Sequence, residues 1–199
     1  MATCINYIKQ ELFEWVDFLF MRNLPGKVGR LIRRIYWGNI TFHCSFLSLA
    51  SDYTITNPNN ISIGNNVSIM MGCSLYAHNS GNIIIGNRVS VNSNVILSAA
   101  DNGEIIVGDD TLIGPNVVIR ASNHNYVLKD SPIRDQGHTG GKIVIEKDVW
   151  IGANVVVLPN VTVGQGAVIG AGCIVNIDIP SFSLAAGVPA RIIQENIRR

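Results

Sequence analysis

The chain has 199 residues and a formal net charge of +1, with 47% hydrophobic and only 15% charged residues. This length fits one domain with a short appendage, and the apolar fraction is sufficient for a sizeable core. A charge balance so close to neutral argues against a nucleic-acid partner, which would require a strongly basic surface.

The cysteines and the first apolar stretch both favour a cytoplasmic protein. Four cysteines stand at positions 4, 44, 73 and 173, without metal-ligand spacing and without a redox pair, a pattern that suits a reducing compartment. The apolar stretch at residues 12–21 is interrupted by Glu14 and Asp17. We therefore expect neither a signal peptide nor a membrane span there.

The N-terminal segment, residues 1–40, is predicted to be helical because apolar residues recur in it at helical spacing. Basic residues then follow without an intervening acidic residue. Two interpretations stay open: the segment caps the fold that follows, or it contacts the anionic inner face of a membrane as an amphipathic foot. The apolar set is Ile5, Ile8, Leu12, Trp15 and Leu19, and the basic set is Arg22, Lys27, Arg30, Arg33 and Arg34.

A nine-residue pattern of alternating apolar residues around a polar turn repeats from residue 61 onward. Three hexads make one triangular coil of about 18 residues, so a longer spacing indicates extra residues at one corner. We place these extra residues near 78–81 and 100–103. The starts of the pattern, 22 residues apart early in the chain and 18 apart at its end, are Ile61, Ile83, Ile105, Ile143 and Val161.

An apolar or small residue recurs after six within each copy and is predicted to point inward, so that stacked coils bury one continuous core. We assign the coils to residues 41–180 and a C-terminal cap and tail to 181–199. The pattern is lost at 121–141, which we interpret as a long loop inserted into one coil, a feature that is often functional. The inward pairs are Val67 and Cys73, Val89 and Val95, Thr111 and Val117, Val149 and Val155, and Ala167 and Cys173.

Three stretches resemble the hexapeptide-repeat acetyltransferases, and most closely the group of galactoside, maltose and surface-polysaccharide O-acetyltransferases. They are Ile113-Gly114-Pro115-Asn116-Val117 leading into Ser122-Asn123-His124, then residues 149–153 followed by 158–164, then residues 168–172 with 186–191. The resemblance implies an all-β fold, a left-handed parallel β-helix. It also implies a homotrimer with active sites between subunits and acetyl-CoA as co-substrate, without a metal.

The resemblance further implies that His124 is the general base that takes the proton of an acceptor hydroxyl, a role that imidazole suits at neutral pH. The backbone amide of Ala153 is the expected donor to the oxyanion. Where relatives often have Thr-Lys, this chain has Asn176-Ile177, and Gln194 replaces a common basic residue. The positions implied to contact CoA are Trp150, Gly152, Ala153, Ala171, Asn176, Ile177 and Arg191.

Two further residues are candidates for the acceptor side. Ser98 roughly matches a position where relatives have an acceptor-contacting Asn, and Asp101 lies in the adjacent corner. Either could bind sugar hydroxyls or orient His124. His138 lies in the same insertion, but no motif selects it, and we interpret it as part of a polar loop.

The resemblance therefore implies an acetyl-CoA-dependent O-acetyltransferase that acts on a sugar hydroxyl, in a surface-polysaccharide or oligosaccharide precursor. A streptogramin-type antibiotic O-acetyltransferase would use the same base and co-substrate. A γ-type carbonic anhydrase shares the fold but needs three zinc-binding histidines, and His124 and His138 are 14 residues apart. A non-catalytic scaffold would have no reason to keep the His124 insertion.

Overall fold

The computed structural model describes residues 15–198. The described part opens with a π-helical turn at Asp17–Arg22, followed by the α-helix α1 (Gly26–Arg33), which continues as a π-helical stretch at Arg34–Thr41. The predicted helical positions Ile5, Ile8 and Leu12 lie outside the described residues. Between residues 15 and 198, no helix is long and apolar enough to cross a bilayer.

Short strands follow the helices. In chain order they are β1 (Leu47–Leu49), β2 (Thr54–Thr56), β3 (Ile61–Ile63), β4 (Val67–Ile69), β5 (Ser74–Ala77), β6 (Asn82–Ile85), β7 (Ser90–Val91), β8 (Ile96–Ala99), β9 (Glu104–Val107), β10 (Leu112–Ile113), β11 (Val118–Arg120), β12 (Ser122–His124), β13 (His138–Gly140), β14 (Lys142–Ile145), β15 (Trp150–Ile151), β16 (Val156–Val157), β17 (Val161–Val163), β18 (Val168–Ile169), β19 (Ile174–Val175), β20 (Leu184–Ala186) and β21 (Arg191–Gln194). Single 3₁₀ turns lie at Pro58–Asn60 and Ile133–Asp135.

Three parallel sheets form the faces of a triangular prism. Face A contains β1, β4, β7, β10, β15, β18 and β20, and β21 adds an antiparallel edge strand to it. Face B contains β2, β5, β8, β11, β16 and β19, and face C contains β3, β6, β9, β14 and β17. Successive strands pass from A to B to C, which gives about six turns of a left-handed parallel β-helix. The predicted fold class is confirmed.

The five predicted repeat starts stack in one column on face C. Ile83 lies in register between Ile61 and Ile105, and Ile143 lies between Ile105 and Val161. All ten predicted inward hexad residues are buried, including the polar Thr111. Each coil exposes its inward side chains unless a neighbour covers them, so the stacked columns bury each other and form the core.

The corner between faces A and B carries a ladder of asparagines. Asn94, Asn116 and Asn154 have φ of 60°, 58° and 58°, a left-handed conformation that Asn tolerates better than most residues. The Asn94 side-chain amide donates to Asn116 Oδ1 at 3.1 Å, and the Asn116 amide donates to Asn154 Oδ1 at 3.1 Å. The ladder thus ties three successive coils together beside the residues at 152 and 153.

The helices pack on the first coil through buried polar groups. Arg33 is 1% exposed and donates to the carbonyl oxygens of Leu49, Met21 and Leu24 at 2.8, 2.7 and 2.8 Å. A guanidinium with carbonyl acceptors on several segments fixes those segments relative to each other. This packing corresponds to the cap interpretation of the helical segment.

A second buried network joins the helical segment to the first coil. The Trp37 indole N–H donates to the Tyr53 hydroxyl at 2.8 Å, and that hydroxyl donates to the carboxylate of Asp17. Arg22 forms an ion pair with the same carboxylate at 3.1 Å. Burial and the hydrogen bond to Asp17 both raise the pKa of Tyr53.

Candidate active site

The insertion forms an antiparallel hairpin, residues 122–140, which we call the histidine hairpin. It leaves the prism at the corner between faces B and C, after β11 and before β14, and pairs β12 with β13. The backbone N–H of Asn125 donates to the Gly137 carbonyl oxygen at 3.0 Å. The Thr139 hydroxyl donates to the side-chain oxygen Oδ1 of Asn125 at 2.7 Å. Beyond this pairing, the Gln136 side chain donates to the carbonyl oxygen of Leu128 at 2.9 Å. The hairpin is therefore held by its own hydrogen bonds as well as by its two ends.

His124 and His138 are directly opposite each other in the hairpin. Their Nε2 atoms are 3.2 Å apart and their ring centroids 3.9 Å apart. His138 Nδ1 lies 3.6 Å from Oδ2 of Asp101, and the other carboxylate oxygen of Asp101 accepts a 2.7 Å hydrogen bond from the Asn79 side-chain amide. The structure thus brings together two predicted site residues, His124 and Asp101, through a histidine that the sequence interpretation did not select.

The hairpin rests on the corner turn that carries Asp101. At Gly140, a Cβ would lie 2.3 Å from the Asp101 carbonyl oxygen and 2.3 Å from the Gly103 nitrogen. Only a residue without a side chain allows the two backbones to approach so closely. This turn is one of the corners where extra residues were predicted. It is held in turn by the backbone N–H of Asn102, which donates to the Ser80 hydroxyl at 3.0 Å.

Ser98 lies on face B beside the hairpin but is nearly covered. Its register neighbours are Tyr76 and Arg120, and it is 8% exposed. Arg120 points its Nε toward the Ser122 carbonyl oxygen at 3.3 Å, at the start of the hairpin. A role for Ser98 in acceptor binding remains a prediction. An acceptor could reach its hydroxyl only if the side chains of Tyr76 or Arg120 moved aside.

Trp150 lies on β15 of face A, directly before the corner between faces A and B, and Gly152 and Ala153 form that corner. Trp150 is 54% exposed on face A, in register with Leu112 and Val168. Along this edge runs a groove of about 290 Å³. Its lining residues are Ser68, Met70, Ser90, Val91, Asn92, Leu112, Ile113, Gly114 and Trp150.

The backbone at this corner is closely stacked. A Cβ on Gly152 would lie 2.7 Å from the Ala171 nitrogen of the next coil, and one on Gly114 would lie 2.8 Å from the Ala153 nitrogen. Ala153 is half-buried, and within residues 15–198 its amide has no hydrogen-bond acceptor. That amide is therefore an unused donor next to Gly114, which lines the groove.

The remaining predicted CoA contacts are spread over two corners. Ala171 stacks above Gly152, whereas Asn176 and Ile177 follow β19 and lie, exposed, at the corner between faces B and C. Arg191 is exposed on β21, at the edge of face A. Their contacts with CoA stay predictions, since one chain does not bring all of them to a single surface.

The structure offers neither a thiol nucleophile nor a metal-binding cluster within residues 15–198. Burial raises the pKa of the Cys73 and Cys173 thiols, and both point into the core, so neither presents a thiolate nucleophile. Among the described residues, no group of three or more His, Cys, Asp or Glu side chains is arranged to hold a metal ion.

His138 had a detectable signal in the sequence after all. His124 is three residues after the start of the insertion at 121, and His138 is three residues before its end at 141. An insertion that returns to the corner it left brings equidistant residues opposite each other if its ends pair as a hairpin. Asn79 carried no such signal, because only the stacking of two corner turns brings it to Asp101.

Residues 142–176, which comprise β14 to β19, match the family model described as bacterial transferase hexapeptide (six repeats). The chain is 57% identical over 53 residues to galactoside O-acetyltransferase of Escherichia coli (strain K12), which is 27% of this chain and 26% of that protein. It is 46% identical over 63 residues to a putative acetyltransferase of Staphylococcus aureus (strain Mu50), 31% of this chain and 32% of that protein. The chain thus spans less than a third of the length of the curated relatives it matches.

Two solved structures extend the likeness over most of the fold. One is a variant of AntD, an N-acyltransferase from Bacillus cereus, in complex with dTDP-4-amino-4,6-dideoxyglucose and coenzyme A. It has a TM-score of 0.72 and 27% identity, covering 83% of this chain and 90% of that chain. The other is the hexapeptide-repeat acetyltransferase VCA0836 from Vibrio cholerae with acetyl-CoA, with a TM-score of 0.56 and 26% identity over 87% of this chain and 80% of that chain. Residues 142–176 thus carry the repeat of the hexapeptide transferases, and most of the chain has the fold of these two solved structures.

Proposed function

We propose that the protein is an acetyl-CoA-dependent O-acetyltransferase that transfers an acetyl group to a sugar hydroxyl, with His124 as general base. The observation that carries this proposal is the position of His124. Its imidazole is exposed on a hairpin that interrupts an otherwise regular hexapeptide prism, where an acceptor from solvent can reach it. Galactoside O-acetyltransferase among the relatives supports a sugar acceptor over a streptogramin.

The transfer itself requires little beyond a base and a fixed donor. The thioester of acetyl-CoA supplies the acetyl group. His124 takes the proton of the acceptor hydroxyl as its oxygen bonds to the carbonyl carbon, and the amide of Ala153 donates to the oxyanion. When the carbon–sulfur bond breaks, the proton on His124 passes to the departing sulfur, so that CoA leaves as the thiol and the base is regenerated.

The proposed role of His124 as a base suits a hydroxyl acceptor better than an amine. A neutral amine attacks a thioester without first losing a proton, whereas a sugar hydroxyl is a weak acid that must lose its proton in the transition state. The second candidate is N-acylation of an amino sugar, which the AntD likeness specifically favours. Matched pairs of acceptors that differ only in a hydroxyl or an amino group separate the two.

We infer that the active site is completed by neighbouring copies in a homotrimer. His124 lies at the corner between faces B and C, while Ala153 lies at the corner between faces A and B, so one chain keeps the base and the oxyanion donor apart. Exposed apolar side chains at the tip of the hairpin support this: they are Tyr126, Val127, Leu128 and Ile133. A Val127→Asp variant should dissociate on dilution, as measured by light scattering. It should also lose activity per chain, as measured by CoA release. Full activity of a monomer contradicts the inference.

We also propose that the outer side of α1 contacts an anionic membrane surface. Val28, Leu31 and Ile35 are exposed, with Leu31 55% exposed. No acidic residue occurs between positions 18 and 51, so cations beside an exposed apolar stripe can bind anionic headgroups. The flanking cations are Lys27, Arg30 and Arg34.

Vesicle cosedimentation tests the membrane proposal. The protein should bind phosphatidylglycerol-containing vesicles, release them as salt rises, and ignore pure phosphatidylcholine. Replacement of Lys27 and Arg30 by Gln should abolish binding while the melting temperature is kept; Arg34 stays in place because its guanidinium lies 4.4 Å from the centre of the Phe46 ring. Equal binding by the wild type and this variant, or self-association through α1 in place of binding, rejects the proposal.

A CoA-release assay over a panel of sugars, sugar nucleotides and their amino analogues tests the activity. His124→Ala should lower kcat by about 10²–10⁴-fold, the usual contribution of a positioned base. His43→Asn is the matched control, since His43 is exposed with φ 53° and Asn tolerates that backbone. Equal rates for the wild type and His124→Ala refute the mechanism, and activity on amino sugars alone makes the protein an N-acyltransferase.

A further inference from the structure

A row of polar contacts leads from His124 back to the prism. His124 Nε2 faces His138 Nε2 at 3.2 Å, His138 Nδ1 faces Asp101 Oδ2 at 3.6 Å, and Asp101 Oδ1 accepts from Asn79 at 2.7 Å. Hydrogen bonds of a catalytic group are often long before substrate binds and tighten in the complex. The charge of Asp101, 3.6 Å from His138 Nδ1, acts on that ring electrostatically and so favours one arrangement of protons along the row.

The assignment starts at Asp101, whose carboxylate can only accept. A lone pair on His138 Nδ1 would be repelled by that charge, so His138 Nδ1 carries the proton and His138 Nε2 is the acceptor. His124 Nε2 must then donate to His138 Nε2, because two lone pairs at 3.2 Å would repel each other. A neutral imidazole has one N–H, which leaves the lone pair of His124 on Nδ1.

We propose that Asp101, acting through the positioning residue His138, fixes the Nε2–H tautomer of His124, so that His124 Nδ1 is the nitrogen that takes the acceptor proton. This inference rests on the proposed function, since it assumes that His124 is the base. As His124 gains a proton at Nδ1, its Nε2 proton moves toward His138 Nε2. The positive charge is then shared by two imidazoles next to the carboxylate of Asp101.

Backbone packing keeps this row in place. Gly140 presses β13 against the turn at Asp101 without an intervening side chain, and His138 is two residues away on the same strand. The side chains of His138 and Asp101 are 33% and 32% exposed. Their contact is thus partly shielded from water, which strengthens the electrostatic effect of the carboxylate on the ring.

Asp101→Asn tests the tautomer directly. In this variant the single amide oxygen accepts from Asn79, and the NH₂ group faces His138 Nδ1 as a donor. Every proton in the row is then reversed, and His124 Nδ1 loses its lone pair. We expect kcat to fall by about 10²-fold or more, as a reversed tautomer does to a histidine base, with KM for acetyl-CoA unchanged. Asn also tolerates the φ of 51° at this position.

A double variant separates this proton reversal from mere loss of structure. Asn79→Gly removes the donor that orients residue 101, and Gly accepts the φ of 52° found there. In Asn79→Gly/Asp101→Asn the amide is free to turn its oxygen toward His138, so kcat should partly recover. A purely structural role predicts that the double variant is worse than Asp101→Asn, and that result overturns the proposal.

Substitutions of His138 supply the second kinetic arm. His138→Phe keeps a ring but removes the acceptor, and should lower kcat without raising either KM. His138→Gln offers an amide oxygen to the N–H of His124 and should restore part of the rate. Wild-type kcat in His138→Phe overturns the proposal, whereas loss of rate in His124→Ala at the same time would leave the proposed function intact.

Nuclear magnetic resonance gives a readout that needs no activity. In ¹⁵N-histidine protein, ring-nitrogen shifts distinguish N–H from bare nitrogen, and the four histidines are assigned by single substitutions. We expect His138 protonated at Nδ1 and His124 at Nε2, with both reversed in Asp101→Asn. The opposite tautomer of His124 in the wild type overturns the inference even if His124 proves to be the base.

Discussion

Gly140→Ala moves the histidine hairpin without touching any candidate catalytic side chain. The added Cβ would lie 2.3 Å from two backbone atoms of the turn at 101–103, whereas ordinary contacts begin at 3.4 Å. Neither backbone atom can rotate away, so β13 must retreat by about 1 Å, and His138 retreats with it. A misplacement of about 1 Å can cost about 10²-fold in rate. We expect a loss of that size in kcat, measured by CoA release.

Gly108→Ala is the matched control for this experiment. Its Cβ would lie 2.6 Å from the Lys147 nitrogen and 2.7 Å from the Glu146 carbonyl carbon, a similar backbone clash between the same two coils but at the corner between faces C and A. Both variants should lose stability by similar amounts in thermal melts, and only Gly140→Ala should lose the rate. Wild-type kcat in Gly140→Ala, or an equal rate loss in both variants, refutes the positioning argument.

Three further predictions concern the core and the cap. Ile105→Ala should lower the free energy of unfolding by about 2–5 kcal/mol in denaturant titrations, because the residue is fully buried in the stacked column and leaves a cavity; a loss under 1 kcal/mol contradicts this. Tyr53→Phe removes a donor from the buried carboxylate of Asp17 and should cost about 1–3 kcal/mol. Since burial raises the pKa of Tyr53, its stabilising effect is complete below the unfolded pKa of about 10 and is lost as pH rises above it, a loss that Tyr53→Phe should reduce. Cys73 and Cys173, whose thiols have a raised pKa because of burial, should resist iodoacetamide in the native protein and react in denaturant, as counted by mass spectrometry.

The sequence was sufficient to predict the prism and its inward columns. A hexad period states which side chain faces the core, and neighbouring coils must then stack, so Ile83, Ile105 and Ile143 fall in one column. This inference worked because each coil repeats a local pattern and contacts only its neighbours. The hand of the helix came from family resemblance, since periodicity is the same for both hands.

The family resemblance singled out His124, and the corner next to Ser98 singled out Asp101, but the sequence did not show what joins them. His138 entered the site through the cross-strand register of a hairpin, and Asn79 entered it through the stacking of one corner turn on another, 22 residues later in the chain. Likewise, only the prism shows that His124 and Ala153 lie at different corners. A sequence repeat predicts how each coil packs on the next. A catalytic site depends on distances between corners and inserted segments, and the period of the repeat carries no information about those distances.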